Sequence, residues 1–183
     1  GRFDAEGRLW LTGRAKDLII RGGHNIDPAV IEETLHGHPA VELAAAVGKP
    51  DSYAGELPIA YVQLKPGAEA DAEELQAFAR EHIPERAANP VNLFLLDVMP
   101  VTAVGKIFKP ALRWDAIQRV FGELLAPLAE EAGIAVEVEV SADDLHGTLA
   151  SVALSGGEQD EAVTAKVEGI LAPFAVHHEV TWR

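Results

Sequence analysis

An α+β fold in two parts is predicted by three features of the 183-residue sequence. Short apolar runs are separated by Gly- and Pro-rich turn clusters, and helical patterns opening at Asp residues stand between them. Near the C-terminus Val136, Val138 and Val140 alternate with Glu137 and Glu139, the two-residue period of a strand with one wet face. Residues 1–115 are expected to form a two-stranded hairpin and a mixed three-stranded sheet flanked by helices. Residues 116–183 are expected to add a small acidic α-β-β-α-β extension, with an antiparallel sheet carrying helices on one side.

Each element has a local reason. Gly7–Thr12 and Asp17–Arg21 read as two short strands joined through Gly13–Lys16, the second broken by Gly22-Gly23. Asp27 followed by Pro28 is an N-cap with proline at the first helical position. Val30, Ile31 and Leu35 continue that helix over 28–36, until Gly37. Val41–Val47 and Leu57–Leu64 are apolar runs around the turn cluster Pro50–Gly55, which suggests an antiparallel pair. A second helix follows Asp71, with Leu75, Phe78 and Ala79 on one face. Asn92–Val98 reads as a strand and Pro100–Gly105 as a loop, and a long helix opens at Pro110 or Ala111 and runs toward Glu131. In the extension, strands at 135–140, 148–154 and 175–182 surround a helix through Glu161 and Val167.

Composition excludes several function classes. There is no cysteine, hence no disulfide framework, thiolate zinc site or thiol nucleophile. The 15 basic against 29 acidic side chains give a net charge of −14, which argues against a nucleic-acid partner, because that contact needs a Lys/Arg surface. The imbalance is concentrated at the end: residues 1–117 hold 12 basic and 17 acidic side chains, residues 118–183 hold 3 and 12. No apolar run approaches the roughly 20 residues of a membrane span, and no signal-peptide core follows Gly1. A cytoplasmic protein is expected. The only methionine is Met99, and the missing initiator suggests a piece of a longer chain.

Two segments ask for more than packing: GRAKDLIIRGGHNIDPAVIEE (Gly13–Glu33) and PVTAVGKIFKPALR (Pro100–Arg113). In the second, Lys106 follows Gly105 on a loop, a point positive charge on backbone that can approach a phosphoryl or carboxylate group closely. It is not a P-loop, since Ile107 stands where Ser or Thr is required. Read alone, Lys16-Asp17 is a strand-end ion pair and Gly22-Gly23 a turn. His36-x-His38 and His177-His178 have metal-like spacing without a third ligand nearby, so no metal site is expected. Ser141, Asp143 and His146 are near one another in sequence by chance rather than as a triad.

Taken in order and at their spacing, the two segments resemble the carboxyl-terminal lid domain of the AMP-forming acyl-CoA synthetases. These belong to an acid-adenylating superfamily shared with luciferases and peptide-synthetase adenylation domains. The resemblance covers GRFDAEGRLWLTGRAKDLIIRGGHNIDPAVIEE and PVTAVGKIFKPALR, about residues 1–115. It implies an ATP-dependent acid–CoA ligase with Mg²⁺, in which a separate amino-terminal adenylation domain holds ATP and the acid, and a fatty or other apolar acid as substrate. No cofactor is expected to stay tightly bound to this chain, which should be inactive by itself.

Carried over position by position, the resemblance makes Lys106 the adenylation lysine. It makes Lys16, with Asp17, the hinge about which the lid swings between two half-reactions. Gly22, Gly23 and His24 would line the pantetheine channel of coenzyme A, and Asn25 could add a hydrogen bond there. Arg14 would order the hinge or face the nucleotide, and Glu32 would tie its helix to neighbouring structure. Where relatives end soon after the Lys106 segment, residues 116–183 continue, and three roles stay open for them: packing on the lid, homodimerisation, or contact with a partner protein. Two other functions compete: an adenylating enzyme that loads a carrier protein instead of free CoA, and a stand-alone binding module that keeps the fold without catalysis.

Overall fold

A computed structural model describes residues 2–10 and 14–183 of the protein. The chain divides into two compact units, one formed by Gly1–Gly48 with Glu56–Ile107, the other by Lys49–Gly55 with Phe108–Arg183.

The first unit begins with a short ladder, β1 (Arg2–Phe3) antiparallel to β2 (Leu9–Trp10). The hairpin expected between Gly7–Thr12 and Asp17–Arg21 does not form. Residues 11–13 lie outside the described residues, and Ala15–Asp17 make a 3₁₀ turn. The reason is local. Asp4 Oδ1 accepts the N–H groups of Glu6 and Arg8, and Asp4 O accepts that of Gly7, so the chain reverses within 4–8 and gives β2 a nearer partner.

Ile19–Arg21 (β3) pairs antiparallel with His24–Ile26 (β4), so Gly22-Gly23 is a turn between strands rather than the end of one. Helix α1 (Pro28–His36) starts as its sequence requires: Asp27 Oδ1 accepts the Ala29 N–H at 3.0 Å and Pro28 occupies the first turn. Its buried face, Ile31 and Leu35, contributes about 1.5–3 kcal/mol per side chain by leaving water. Then come β5 (Val41–Asp51), β6 (Gly55–Leu64), α2 (Ala72–His82, capped by Asp71) and β7 (Asn92–Leu95).

The sheet order is β4-β3-β6-β5, with β7 parallel to β6, five strands where three were expected. The additional two are β3 and β4, which join this sheet instead of pairing with residues 7–12. One face carries the core of Ile19, Ile26, Ile31, Leu35, Leu75 and Ala79.

In the second unit, α3 (Lys109–Ala132) starts a residue before Pro110 and ends at Gly133. Strands β8 (Ala135–Asp143) and β9 (Gly147–Ser155) pair antiparallel. Helix α4 (Glu161–Leu171) then returns the chain so that β10 (His177–Trp182) lies parallel to β9. The sheet is therefore mixed, not antiparallel: a helical crossover brings the next strand back in the same direction. Its core is Ile117, Phe121, Leu125, Val138, Val152, Leu154, Val167 and Leu171. Among the described residues no helix is long and apolar enough to cross a membrane.

Candidate functional site

Lys106 stands on a turn built by its own neighbours. Val101 and Ile107 bridge antiparallel. Above them Thr102 N–H donates to Lys106 O at 2.7 Å and Gly105 N–H donates to Thr102 O at 2.8 Å. The Lys106 N–H donates to Thr102 Oγ1 at 3.2 Å. Gly105 has φ +77°, and a Cβ there would meet nothing within 4 Å, so the turn needs glycine for its torsion and not for space. Lys106 is exposed, and its ammonium has no hydrogen-bond or ion-pair partner among the described residues. The result is a cation on braced backbone with its charge uncommitted.

Gly22 and Gly23 have φ +57° and +82°, the two positive torsions demanded by a two-residue type I′ hairpin. No atom lies within 4 Å of a Cβ built on either. The hairpin they close is stapled to residues 85–87 at two points. Arg21 Nη1 donates to Ala87 O at 2.8 Å, and His24 Nε2 lies 3.3 Å from Glu85 Oε1. His24 and Asn25 are both exposed. Lys16 and Asp17 lie in the 3₁₀ turn, whose first bond runs from Asp17 N–H to Arg14 O at 2.9 Å, and Arg14 is exposed. Arg14, Lys16, Asp17, Gly22, Gly23 and His24 thus share one short stretch of chain, while Lys106 sits on a separate turn with no hydrogen bond to any of them.

Other sequence candidates are occupied elsewhere. Glu32 Oε1 accepts the Ala46 N–H at 2.8 Å, tying α1 to β5. His38 is buried, with Nδ1 accepting from Ala40 N–H at 3.3 Å and its ring edge-on to Phe78. His178 lies between Val176 O at 3.2 Å and Glu168 Oε2 at 3.0 Å. Asp143 Oδ1 accepts from the backbone of Leu145 and His146, a turn cap rather than a triad member. Among the described residues no group of three or more His, Asp or Glu could hold a metal ion.

Two contacts have no local signature in the sequence. Glu56 Oε2 accepts the Ile20 N–H at 2.8 Å, 36 residues away in the chain, and the Arg21 contact with Ala87 spans 66 residues. Only the folded sheet brings these partners together.

Residues 30–106 match the family of the AMP-binding enzyme C-terminal domain. A marinolic acid–CoA ligase from a Pseudoalteromonas strain is 48% identical over 170 residues, 92% of this chain and 26% of that protein. A long-chain-fatty-acid–CoA ligase of Bacillus subtilis is 45% identical over 112 residues, 61% of this chain and 20% of that protein. The first match extends through most of both units; the second has the length of one. Among solved structures, a Mycobacterium tuberculosis fatty acyl CoA synthetase matches with TM-score 0.53 and 34% identity, over 62% of this chain and 22% of that one. The chain spans about a fifth to a quarter of the length of the curated relatives it matches. It carries, over residues 30–106, the C-terminal domain of the AMP-binding enzyme family.

Proposed function

We propose that this chain is the C-terminal part of an AMP-forming ligase that joins a fatty or other apolar carboxylic acid to coenzyme A. The observation that carries the proposal is the 48% identity with a CoA ligase across 92% of the chain. In the first half-reaction the carboxylate oxygen attacks the α-phosphorus of ATP, the bond to the β-phosphate oxygen breaks, and pyrophosphate leaves. Lys106 places its ammonium between the carboxylate and the α-phosphate. There it stabilises the charge that builds on the non-bridging oxygens, a contribution of roughly 10²- to 10³-fold or more for one positioned cation. No general base is needed, since the acid is already ionised.

In the second half-reaction the CoA sulfur attacks the acyl carbonyl and AMP leaves. The lid reorients about Lys16-Asp17, with Arg14 ordering that bend, and the Gly22-Gly23-His24 turn borders the pantetheine arm. Mg²⁺ bound with ATP would offset part of the phosphate charge, and by the family resemblance it would be held in the amino-terminal adenylation domain.

Lys106→Ala in the intact enzyme tests the assignment. Pyrophosphate release should be lost while acyl transfer from supplied acyl-adenylate to CoA persists. Equal loss of both steps would remove the adenylation role. Faster transfer to a phosphopantetheinyl carrier protein than to CoA would instead identify the carrier as the acceptor.

A further inference from the structure

In a two-residue hairpin the residues flanking the turn exchange hydrogen bonds, so Arg21 and His24 face each other and the next pair, Ile20 and Asn25, point their backbone groups outward. The outward N–H of Ile20 is on the side of β6. The carboxylate of Glu56, at the start of β6, accepts it at 2.8 Å. A side chain thus adds a charge-assisted hydrogen bond between the neighbouring strands β3 and β6.

The room for that carboxylate comes from β5. A Cβ on buried Gly48 would lie 2.5 Å from Glu56 Cδ and 2.8 Å from each carboxylate oxygen. Gly48 is needed here for space, unlike the turn glycines. Gly48, Glu56 and Ile20 therefore form one contact chain across three strands. It ends two residues before Gly22 and begins its hold on the hairpin four residues after Lys16.

We propose that Glu56 is a positioning residue for thioester formation: its carboxylate fixes where the Gly22-Gly23-His24 turn stands relative to the sheet once the lid has reoriented. The assignment rests on the channel reading of that turn. With Ile20 held by Glu56 and Arg21 by Ala87 O, bending at the hinge is confined to residues before Ile19, and the turn moves with the sheet as one body. Lys106, on its own braced turn, does not depend on this bond.

The test uses the intact enzyme and assays the half-reactions separately. Glu56→Ala should lower acyl transfer from acyl-adenylate to CoA by about 10- to 100-fold, the rate equivalent of one hydrogen bond to a charged group, and leave pyrophosphate release within about twofold of the parent. Glu56→Gln, whose amide oxygen still accepts, should recover to within about fivefold. Gly48→Ala should resemble Glu56→Ala, because it displaces the carboxylate without removing it. Amide exchange at Ile20 should speed up in the Ala variants and not in Glu56→Gln.

Equal losses in both half-reactions, with Gln as damaging as Ala, would mean that the carboxylate only holds the fold together. Unchanged acyl transfer in Glu56→Ala overturns the role as well. Gly23→Leu separates the two readings: if it also transfers normally, the channel placement has failed, and if it blocks transfer while Glu56→Ala does not, only the role of Glu56 has.

Discussion

Thr102 braces Lys106 from two directions: its carbonyl oxygen accepts the Gly105 N–H and its hydroxyl accepts the N–H of Lys106 itself at 3.2 Å. The backbone from which the ammonium projects is thereby set before any ligand arrives, and such preorganisation is what makes a positioned cation effective. Thr102→Val keeps the β-branched shape and removes the acceptor. In the intact enzyme it should slow pyrophosphate release by about 3- to 10-fold, the value of one exposed hydrogen bond, with acyl transfer to CoA unaffected. Gly105→Ala should act in the same direction through backbone strain alone, about 1–2 kcal/mol at positive φ, because no neighbour obstructs its Cβ. An unchanged rate in both variants would show that the turn does not set the position of Lys106.

Gly22 can be required for its torsion or for the space it leaves, and one pair of substitutions separates these. Asn adopts left-handed backbone readily and is favoured in type I′ turns, whereas Val is strongly disfavoured there. Gly22→Asn should keep the melting temperature within a degree or two of the parent, and Gly22→Val should destabilise by at least about 1–2 kcal/mol. If Gly22→Asn is stable and still forms thioester at the parent rate, the glycine serves the turn. If it is stable and thioester formation fails, a ligand needs the space.

These substitutions also show where the sequence could be read and where it could not. Helix α1 was legible because its start is chemical: the Asp27 side chain caps it and Pro28 tolerates only that position. The alternation in β8 was legible because burial alternates with it, Val138 inside and Glu137 and Glu139 outside. Pairing was not legible. The two-residue period says that a strand exists and is silent about its partner, so nothing in it distinguishes the apolar run before Ile19–Arg21 from β4 and β6, with which the strand pairs. The Gly-Gly dipeptide flanked by apolar residues was the available sign of a hairpin with the run that follows.

The direction of β10 escaped for the same reason, since alternation is identical in parallel and antiparallel strands. It is set by the α4 crossover. Lys106 could be singled out by the Gly105 before it, and Gly22-Gly23 by the turn such a dipeptide makes, while Glu56 and Gly48 could not. Their requirement exists only when β3, β5 and β6 lie side by side.

Glu32 supplies a test of the fold apart from chemistry. Its carboxylate reaches from α1 to the Ala46 N–H in β5 at 2.8 Å, in a strand whose residues 44–48 are buried. Removing an acceptor from an N–H that water cannot reach costs the desolvation of that group, about 1–3 kcal/mol. Glu32→Ala should lower stability by that amount in urea unfolding at unchanged m-value, and Glu32→Gln by less than half of it. Protection of the Ala46 amide against exchange should fall in the Ala variant. Full protection there would show that another group takes over the bond.

Phe121 gives the corresponding test for the second unit. It is fully buried on α3, with the ring of Phe174 edge-on at 5.7 Å and that of His178 at 6.3 Å. It therefore joins the long helix to a segment far along the chain, the turn after α4 and the parallel strand β10 that follows it. Truncating a buried Phe to Ala forfeits its transfer free energy and leaves a cavity, together about 3–5 kcal/mol. Phe121→Leu keeps most of the volume and should cost less than half as much. The position of the ring makes the loss local as well as large. Strand β10 is an edge strand whose side chains are at best half-buried, so its hold on β9 depends on what packs beneath it. In Phe121→Ala, amide protection should fall first along His177–Trp182 and in the C-terminal turns of α4, before β8 and β9 are affected. Uniform loss across all three strands would instead show that this sheet opens as a single cooperative unit, with Phe121 no more tied to β10 than to the rest of its core.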